Sequence, residues 1–199
     1  CYAGLDLSSK LDLTSLVLVF PEDDGSVLLV PRFWIPEDRV KEELEKGRAH
    51  YAAWVRDEHL IATPGAVVDQ EFIRSEVNRI AGIVDMRELA YDRWGATALA
   101  TRLIEEDGRT LAEFGQGYRS MSEPAKDFEA RIVSGKLRHD GNPVLRWSVS
   151  NVSVRSDPAG NIKPDKETST GKIDGVVAAI MGLARANVGG VSAPLVSFV

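Results

Sequence analysis

The sequence predicts an α/β fold in which helices flank a mixed β-sheet. Three strand-like runs come first, at 2–8, 13–20 and 26–33, and the turn sequence PEDDG at 21–25 separates the second run from the third. Because their connections are short, we predict an antiparallel three-stranded meander. Strand-like and helical segments then alternate, which is typical of parallel strands joined by helices. The two patterns together indicate a mixed sheet with helices on both faces.

Periodicity and end signals assign the elements that follow the meander. Asp69 is a suitable N-cap, and the spacing predicts that Phe72, Val77, Ile80 and Ile83 share one face of the next helix. We predict helices at 36–57 (interrupted near Gly47), 67–84, 96–108, 123–137 and 171–190, strands at 60–65, 87–92 and 110–115, and a small β-hairpin insertion at 152–165.

The composition is that of one globular domain. The chain has 199 residues, 44% of them hydrophobic and 27% charged, which is enough for one sizeable core. Its single cysteine, Cys1, excludes an intrachain disulfide and fits a reducing, intracellular setting. Because the chain starts almost directly on a strand, we expect a further domain before it. We assign 1–187 to the domain and 188–199 to a C-terminal tail that we expect to be flexible.

The charge distribution restricts how nucleic acid could bind. A formal net charge of −6 excludes a general electrostatic attraction of the whole chain to DNA or RNA. A DNA partner would have to meet a local basic patch or a site neutralised by metal. The segment 131–146 is one such patch, because Arg131, Lys136, Arg138 and Arg146 face only one acidic residue within it. An ordinary solvated basic face explains the same residues.

Three aspartates interrupt otherwise apolar segments. Asp6 lies inside the first strand, and Asp92 ends the strand at 87–92. Asp174 is the one charged residue between 173 and 184, in a helix that is apolar on all sides and therefore predicted to be buried. Each also has an ordinary explanation: a solvated strand end for Asp6, a helix entry for Asp92, and a first-turn position favoured by the helix dipole for Asp174.

Taken together, the three carboxylates indicate a metal site. A buried ionised carboxylate is costly unless a partner compensates its charge, and two sheet positions and one helix position can converge on one point. Oxygen ligands suit Mg²⁺ or Mn²⁺, and the sequence offers no Cys/His cluster for zinc. Two ions held by shared carboxylates would activate a water molecule and stabilise the leaving oxygen of a phosphodiester.

Five short stretches resemble, in order, the motifs of one protein family. They are GLDLSSKLDLTSLVLVF, ATPGAVVDQEFI, AYDRWGATALA, GNPVLRWSVSNV and KIDGVVAAIMGLARA, all within 1–187. The chain resembles the C-terminal nuclease domain of phage terminase large subunits, which has a ribonuclease H-like fold. The resemblance implies a metal-dependent endonuclease that cuts concatemeric double-stranded DNA with little sequence specificity. Asp6, Asp92 and Asp174 would be its catalytic residues and would hold two Mg²⁺ or Mn²⁺ ions.

The resemblance also implies partners and a setting. The full-length protein would carry an ATPase domain before this chain and would act with the terminase small subunit and the portal, in the host cell cytoplasm and not at a membrane. The chain itself has no P-loop, because STGKI at 169–173 lacks the upstream glycine and the final Ser/Thr of that motif. We therefore expect no ATP hydrolysis by this chain alone.

Several further residues are second-rank candidates. Lys172, Arg138, His139, Arg155 and Lys163 are candidates for contact with DNA, although each also has an ordinary explanation as a surface or structural residue. The remaining ones are Asp12 near the acidic site, Lys166 just after the hairpin, and Asn151 and Trp147, which we interpret first as packing and hydrogen-bonding residues.

Two alternatives to the terminase nuclease stay open. The chain could be another ribonuclease H-like nuclease, such as a resolvase or a transposase-like enzyme, but these lack the stretches ATPGAVVDQEFI and GNPVLRW. It could also be a DNA-gripping or assembly module of the packaging motor, with cleavage dependent on the missing ATPase domain. The acidic net charge favours such dependence, because the chain alone would bind DNA poorly.

Overall fold

The computed structural model describes residues 1–7 and 13–189, which form nine strands and seven helices. The strands are β1 (Tyr2–Asp6), β2 (Thr14–Pro21), β3 (Val27–Pro36), β4 (Ile61–Thr63), β5 (Glu88–Tyr91), β6 (Leu111–Glu113), β7 (Leu137–His139), β8 (Val154–Ser156) and β9 (Ile162–Pro164). The helices are α1 (Glu37–Glu45), α2 (His50–Arg56), α3 (Gln70–Ala81), α4 (Arg93–Glu105), α5 (Tyr118–Val133), α6 (Pro143–Asn151) and α7 (Asp174–Gly189).

The main sheet is mixed, as predicted. Its strand order is β4-β3-β2-β1-β5-β6, and β7 pairs with the first residues of β3. Strands β1, β2 and β3 form the antiparallel meander, while β5 runs parallel to β1 and β6 runs parallel to β5. The hairpin β8–β9 forms a separate two-stranded sheet, which confirms the predicted insertion.

Two hydrophobic cores cover the two faces of the sheet. On one face, Ala3, Leu5 and Leu16 pack with residues of α3 and α4. On the other, Val17 and Val19 pack with α7 and with parts of α5 and α6. The alternation of side chains along β1 and β2 therefore sends neighbouring residues into different cores.

Helix α7 is the buried helix that its composition predicts, and it approaches β1 closely. A Cβ atom added to Gly4 would lie 2.0 Å from the carbonyl oxygen of Ala178. One added to Gly182 would lie 3.0 Å from the backbone nitrogen of Gly4. Two glycines facing one another thus allow the backbones of β1 and α7 to meet, and this contact places the ends of the two elements side by side.

Some details differ from the prediction. Asp69 caps α3, as predicted. The buried face of this helix consists of Ile73, Val77 and Ile80. Phe72 and Ile83, which were predicted to lie on that face, are exposed. Strand β7 and helix α6 are not among the predicted elements. Strand β7 forms through pairing with the distant β3, whereas α6 has a local start signal in Asn142 and Pro143. Helix α7 continues through residues 188 and 189, and the rest of the predicted tail lies outside the described residues. None of the described helices is long and apolar enough to cross a membrane.

Candidate active site

The end of β1 and the start of α7 bring two buried carboxylates together. Asp6 is the last residue of β1 and is 2% exposed, and Asp174 is the first residue of α7 and is 7% exposed. The Nζ atom of Lys166 lies 2.7 Å from Oδ2 of Asp6 and 3.1 Å from Oδ1 of Asp174. Gln116 donates a hydrogen bond of 3.1 Å from Nε2 to Oδ1 of Asp6. One cation therefore bridges two acidic groups that the sequence separates by most of its length.

Burial sets the protonation behaviour of this group. It raises the pKa of Asp6 to about 6, and the nearby charge of Asp174 acts in the same direction, while Lys166 and Gln116 oppose it. Burial acts to lower the pKa of Lys166, but the charges of Asp6 and Asp174 outweigh it and the pKa is raised. Lys166 is therefore a permanent cation, whereas the protonation of Asp6 responds to pH in the mildly acidic range.

Asp92 joins the same site from the neighbouring strand. It directly follows β5, whose residue Tyr91 is paired with Leu5 of β1 in parallel register. Because the carboxyl ends of parallel neighbours meet at the same edge of a sheet, Asp92 lies at the edge where Asp6 lies. The three aspartates that the sequence pattern indicated, Asp6, Asp92 and Asp174, all line one cavity of about 570 Å³.

Basic residues line the same cavity. Lys166 and Lys172 come from the segment before α7, while Arg39 and Arg48 come from the α1–α2 region. Sequence reasoning missed Arg39, Arg48 and Gln116 as residues of this site. The acidic and basic spacing of α1 is that of a solvated helix, so no local signal distinguished these arginines.

The site has the donor chemistry for a divalent cation, with two obstacles. Carboxylate oxygens are the ligands that Mg²⁺ and Mn²⁺ prefer, and the buried charge of Asp6 and Asp174 requires a compensating cation. Among residues 1–7 and 13–189, no three carboxylate, imidazole or thiol groups lie close enough together to hold a metal ion. The ammonium group of Lys166 lies between Asp6 and Asp174, so a metal ion could bind there only after that group moves away.

Of the second-rank candidates for DNA contact, only Lys172 lines the cavity. Arg138 pairs with Glu22 at 2.9 Å and with Asp24 at 2.8 Å, and Arg155 pairs with Asp165 at 2.8 Å. The remaining two, Lys163 over the ring of Tyr118 and His139 in β7, lie elsewhere in the described chain.

Acidic residues from other segments offset the basic patch at 131–146. Arg131 pairs with Asp127 at 2.8 Å, in addition to the two pairs of Arg138. The positive balance counted along the sequence therefore does not persist in the folded chain.

Asn151 and Trp147 have the structural role expected of them. The side chain of Asn151 donates a hydrogen bond to the carbonyl oxygen of Lys172, and the ring centroids of Trp147 and Trp54 lie 5.3 Å apart. Asp12 lies outside the described residues.

The fold and the acidic cavity define a class of protein. A mixed sheet with a leading antiparallel meander, helices on both faces, and carboxylates at the ends of β1 and β5 and the start of α7 is a ribonuclease H-like nuclease fold.

Comparison with known proteins gives the family. Residues 1–190 match the family described as terminase large subunit, endonuclease domain. The chain is 40% identical, over 193 residues, to the terminase large subunit of Enterobacteria phage HK97, an alignment that covers 94% of this chain and 37% of that protein. The chain therefore belongs to the endonuclease-domain family of terminase large subunits, and it spans well under half of the length of this relative.

Solved structures agree with this assignment. The crystal structure of the HK97 bacteriophage large terminase superposes with a TM-score of 0.86 at 40% identity, covering 93% of this chain and 39% of that one. The large terminase nuclease from thermophilic phage G20c, solved with bound magnesium, superposes with a TM-score of 0.61. At 10% identity over 92% of this chain and 80% of that one, the second likeness shows the fold alone.

Proposed function

We propose that this chain is the metal-dependent DNA endonuclease of a viral genome-packaging terminase. The observation that carries the proposal is the convergence of Asp6, Asp92 and Asp174 on one cavity, in a chain of the terminase nuclease family. The bound magnesium of the G20c nuclease supports a divalent cation as cofactor. Its substrate would be concatemeric double-stranded DNA.

Five charged residues of the cavity have specific roles in this proposal. Asp6, Asp92 and Asp174 would hold Mg²⁺ or Mn²⁺, as two ions. Bound ions of this kind activate a water molecule and stabilise the leaving oxygen of a phosphodiester. Lys166 compensates the charge of Asp6 and Asp174 in the metal-free protein, and Lys172 contributes positive charge at the same cavity. Contacts between lysine side chains and the phosphates of DNA carry no sequence information, which supports cleavage with little sequence specificity.

The proposal extends to the assembly in which the chain acts. The chain would follow an ATPase domain in the full-length protein and would work with the terminase small subunit and the portal in the host cell cytoplasm. The match to 37% of a longer terminase large subunit supports a further domain in the full-length protein. The same match favours a terminase nuclease over a resolvase or a transposase-like enzyme.

A second function keeps the same family and changes the role of this domain. The chain could grip DNA within the motor, with cleavage dependent on a partner. The bridging position of Lys166 favours this alternative, because the ammonium group occupies the space between two of the three carboxylates. A partner or the DNA itself would then have to displace Lys166 before cutting.

The experiment is a plasmid-nicking assay in Mg²⁺, Mn²⁺ or EDTA with Asp6→Asn, Asp92→Asn and Asp174→Asn. Asp23→Asn, in the exposed β2–β3 turn, is the matched control. We expect metal-dependent nicking that all three variants lose and the control keeps. Calorimetric metal binding without cutting would favour the gripping module, and full activity of the three folded variants would overturn the site assignment.

A further inference from the structure

A buried glutamate organises the basic side of the cavity. Glu43 of α1 is 1% exposed, although α1 is otherwise a charged surface helix. Its Oε1 atom lies 2.9 Å from Nη2 of Arg39 and 3.4 Å from Nζ of Lys46, and its Oε2 atom lies 2.6 Å from Nη1 of Arg48. Three cations thus share one buried carboxylate, and two of them also contact the exposed Glu42, which lies 2.8 Å from Arg39 and 3.8 Å from Lys46.

The arrangement keeps Glu43 ionised and holds the arginines in place. Burial acts to raise the pKa of Glu43, but the hydrogen bond from Arg48 and the charges of Arg39 and Arg48 outweigh it, and the pKa is lowered. Exposed ion pairs hold long side chains weakly, whereas a buried carboxylate is costly to leave without its partners. Arg39 and Arg48 therefore lose part of their conformational freedom before any ligand arrives.

Both arginines face the proposed catalytic site. Arg39 and Arg48 line the same cavity as Asp6, Asp92 and Asp174, and the side chain of Arg48 is 57% exposed. A guanidinium carries five N–H donors in a planar fork, which is more than one carboxylate oxygen can accept. With Glu42 included, the three cations and two carboxylates of this group carry one excess positive charge, in a chain whose net charge is −6.

We infer that Arg39 and Arg48 form a binding site for the DNA backbone, in which each contacts a phosphate, and that Glu43 is a positioning residue that does not touch DNA. The inference rests on the proposed function, because it takes DNA as the ligand. Guanidinium forks match the geometry of phosphate oxygens, and prior ordering lowers the entropic cost of binding. The site explains how an acidic chain meets a polyanion at the edge of an acidic cavity.

The test measures DNA binding in EDTA, where no metal-dependent cutting occurs. Fluorescence anisotropy with a short labelled duplex over a salt series would compare the 199-residue chain with Arg39→Gln, Arg48→Gln and the double variant. Each removed phosphate contact should reduce the log–log salt slope by about 0.9 and weaken affinity about tenfold, equally on unrelated sequences. Arg56→Gln is the control, since Arg56 is an exposed arginine of α2 that pairs with Asp57 and does not line the cavity.

Glu43→Gln tests the positioning role separately. It keeps both arginine charges and removes one negative charge, so electrostatics alone would strengthen binding. Because we expect the arginines to lose their fixed orientation, we predict weaker binding with a nearly unchanged salt slope, and stronger binding would contradict the positioning role. Arg48→Lys in the same assay keeps the charge at this position without the guanidinium fork. If the double arginine variant does not fold, a triple variant that adds Glu43→Gln takes its place in the assay, because it also removes the buried carboxylate that would then have only Lys46 as its partner.

The outcomes separate this inference from the proposed function. A wild-type chain that nicks plasmid, with a double variant whose salt slope and affinity are unchanged, overturns the phosphate site and leaves the nuclease proposal standing. If the salt slope depends on Arg39 and Arg48 but the chain cuts DNA in neither Mg²⁺ nor Mn²⁺, the phosphate site is supported and the result counts against the nuclease proposal. Absence of DNA binding by the folded wild-type chain at low salt overturns the inference directly.

Discussion

The ammonium group of Lys166 lies 2.7 Å from the carboxylate of Asp6, although 160 positions separate the two residues in the sequence. The same nitrogen lies 3.1 Å from Asp174. Without metal, the chain thus supplies its own counter-ion to a buried acidic pair. This arrangement makes the stability of the metal-free protein and its affinity for metal depend on the same lysine.

Lys166→Met should therefore destabilise the metal-free protein and increase its response to metal. Removing the cation leaves two buried carboxylates without their shared partner, and we expect a loss of about 1–3 kcal/mol in the free energy of unfolding. The Lys166 side chain is 45% exposed, so water offsets part of the cost and the lower end is expected. Urea unfolding in EDTA and in Mn²⁺ measures both effects.

The control for this prediction is Lys126→Met, because Lys126 is an equally exposed lysine that pairs at 3.8 Å with the exposed Glu123 of its own helix. It should change the free energy of unfolding by less than about 0.5 kcal/mol. If Lys166→Met unfolds like the wild type and gains no extra stabilisation from Mn²⁺, the lysine does not compete with metal.

The raised pKa of Asp6 predicts a pH dependence of stability in the metal-free protein. Ordinary aspartate titrates near pH 4, whereas burial raises the pKa of Asp6 to about 6. The folded state therefore holds the proton more strongly than the unfolded state. The resulting stabilisation is complete below about pH 4 and is lost as pH rises through about 6.

Asp6→Asn isolates this effect, because asparagine resembles the protonated side chain at every pH. Relative to the wild type, the variant should gain stability between pH 4 and pH 7, on the order of 2 kcal/mol, in urea unfolding with EDTA present. A stability difference that stays constant over this range would contradict the raised pKa.

An ion pair between α3 and the turn that follows α4 predicts the opposite pH dependence. Arg74 donates to both carboxylate oxygens of Asp107 at 2.6 Å and 2.8 Å, and this lowers the pKa of Asp107 to about 2. Because the folded pKa lies below the unfolded one, the stabilisation is present above about pH 4 and is lost as pH falls toward 2. Asp107→Asn should have a lower free energy of unfolding than the wild type at pH 7. Because the variant has no Arg74–Asp107 ion pair, its free energy of unfolding should fall less than that of the wild type as pH drops from 4 to 2.

Asp23→Asn serves as the exposed control. If Asp107→Asn and the wild type lose the same free energy of unfolding in acid, the prediction is contradicted.

The sequence predicted the parts of the fold that local signals specify. Alternating apolar residues and the PEDDG turn predicted the meander, and the apolar surface of residues 173–184 predicted a buried helix. Strand β7 is only three residues long and exists through its pairing with β3, so no local pattern marked it. Helix α6 did carry a signal, since Asn142 caps it and Pro143 begins it.

The residues of the candidate site also fall into those that a local sequence signal marks and those that only the fold brings together. The acidic positions stood out because a carboxylate in an apolar strand or helix conflicts with its surroundings. Their neighbours could not be found by that route, since Gln116 lies 110 positions and Lys166 lies 160 positions from the Asp6 side chain that they contact. Glu43 was also missed, because a glutamate in a charged helix is ordinarily solvated, and only the fold buries it.

The close approach of β1 to α7 predicts that Gly4 is required for both the fold and the site. A methyl group at Gly4 would lie 2.0 Å from the carbonyl oxygen of Ala178 and 2.7 Å from the nitrogen of Gly182, and neither backbone atom can rotate away as a side chain would. Gly4→Ala should therefore cost about 3 kcal/mol or more in the free energy of unfolding. It should also weaken metal binding, because moving α7 away from β1 separates Asp174 from Asp6.

Gly117→Ala is the matched control, since an added Cβ there has no heavy atom within 4 Å and Gly117 has a negative φ of −88°. We expect its stability to change by less than about 0.5 kcal/mol. Thermal unfolding compares the two variants, and calorimetric titration with Mn²⁺ tests whichever remains folded. If Gly4→Ala is as stable as Gly117→Ala and binds Mn²⁺ as the wild type does, the contact between β1 and α7 does not position the acidic pair.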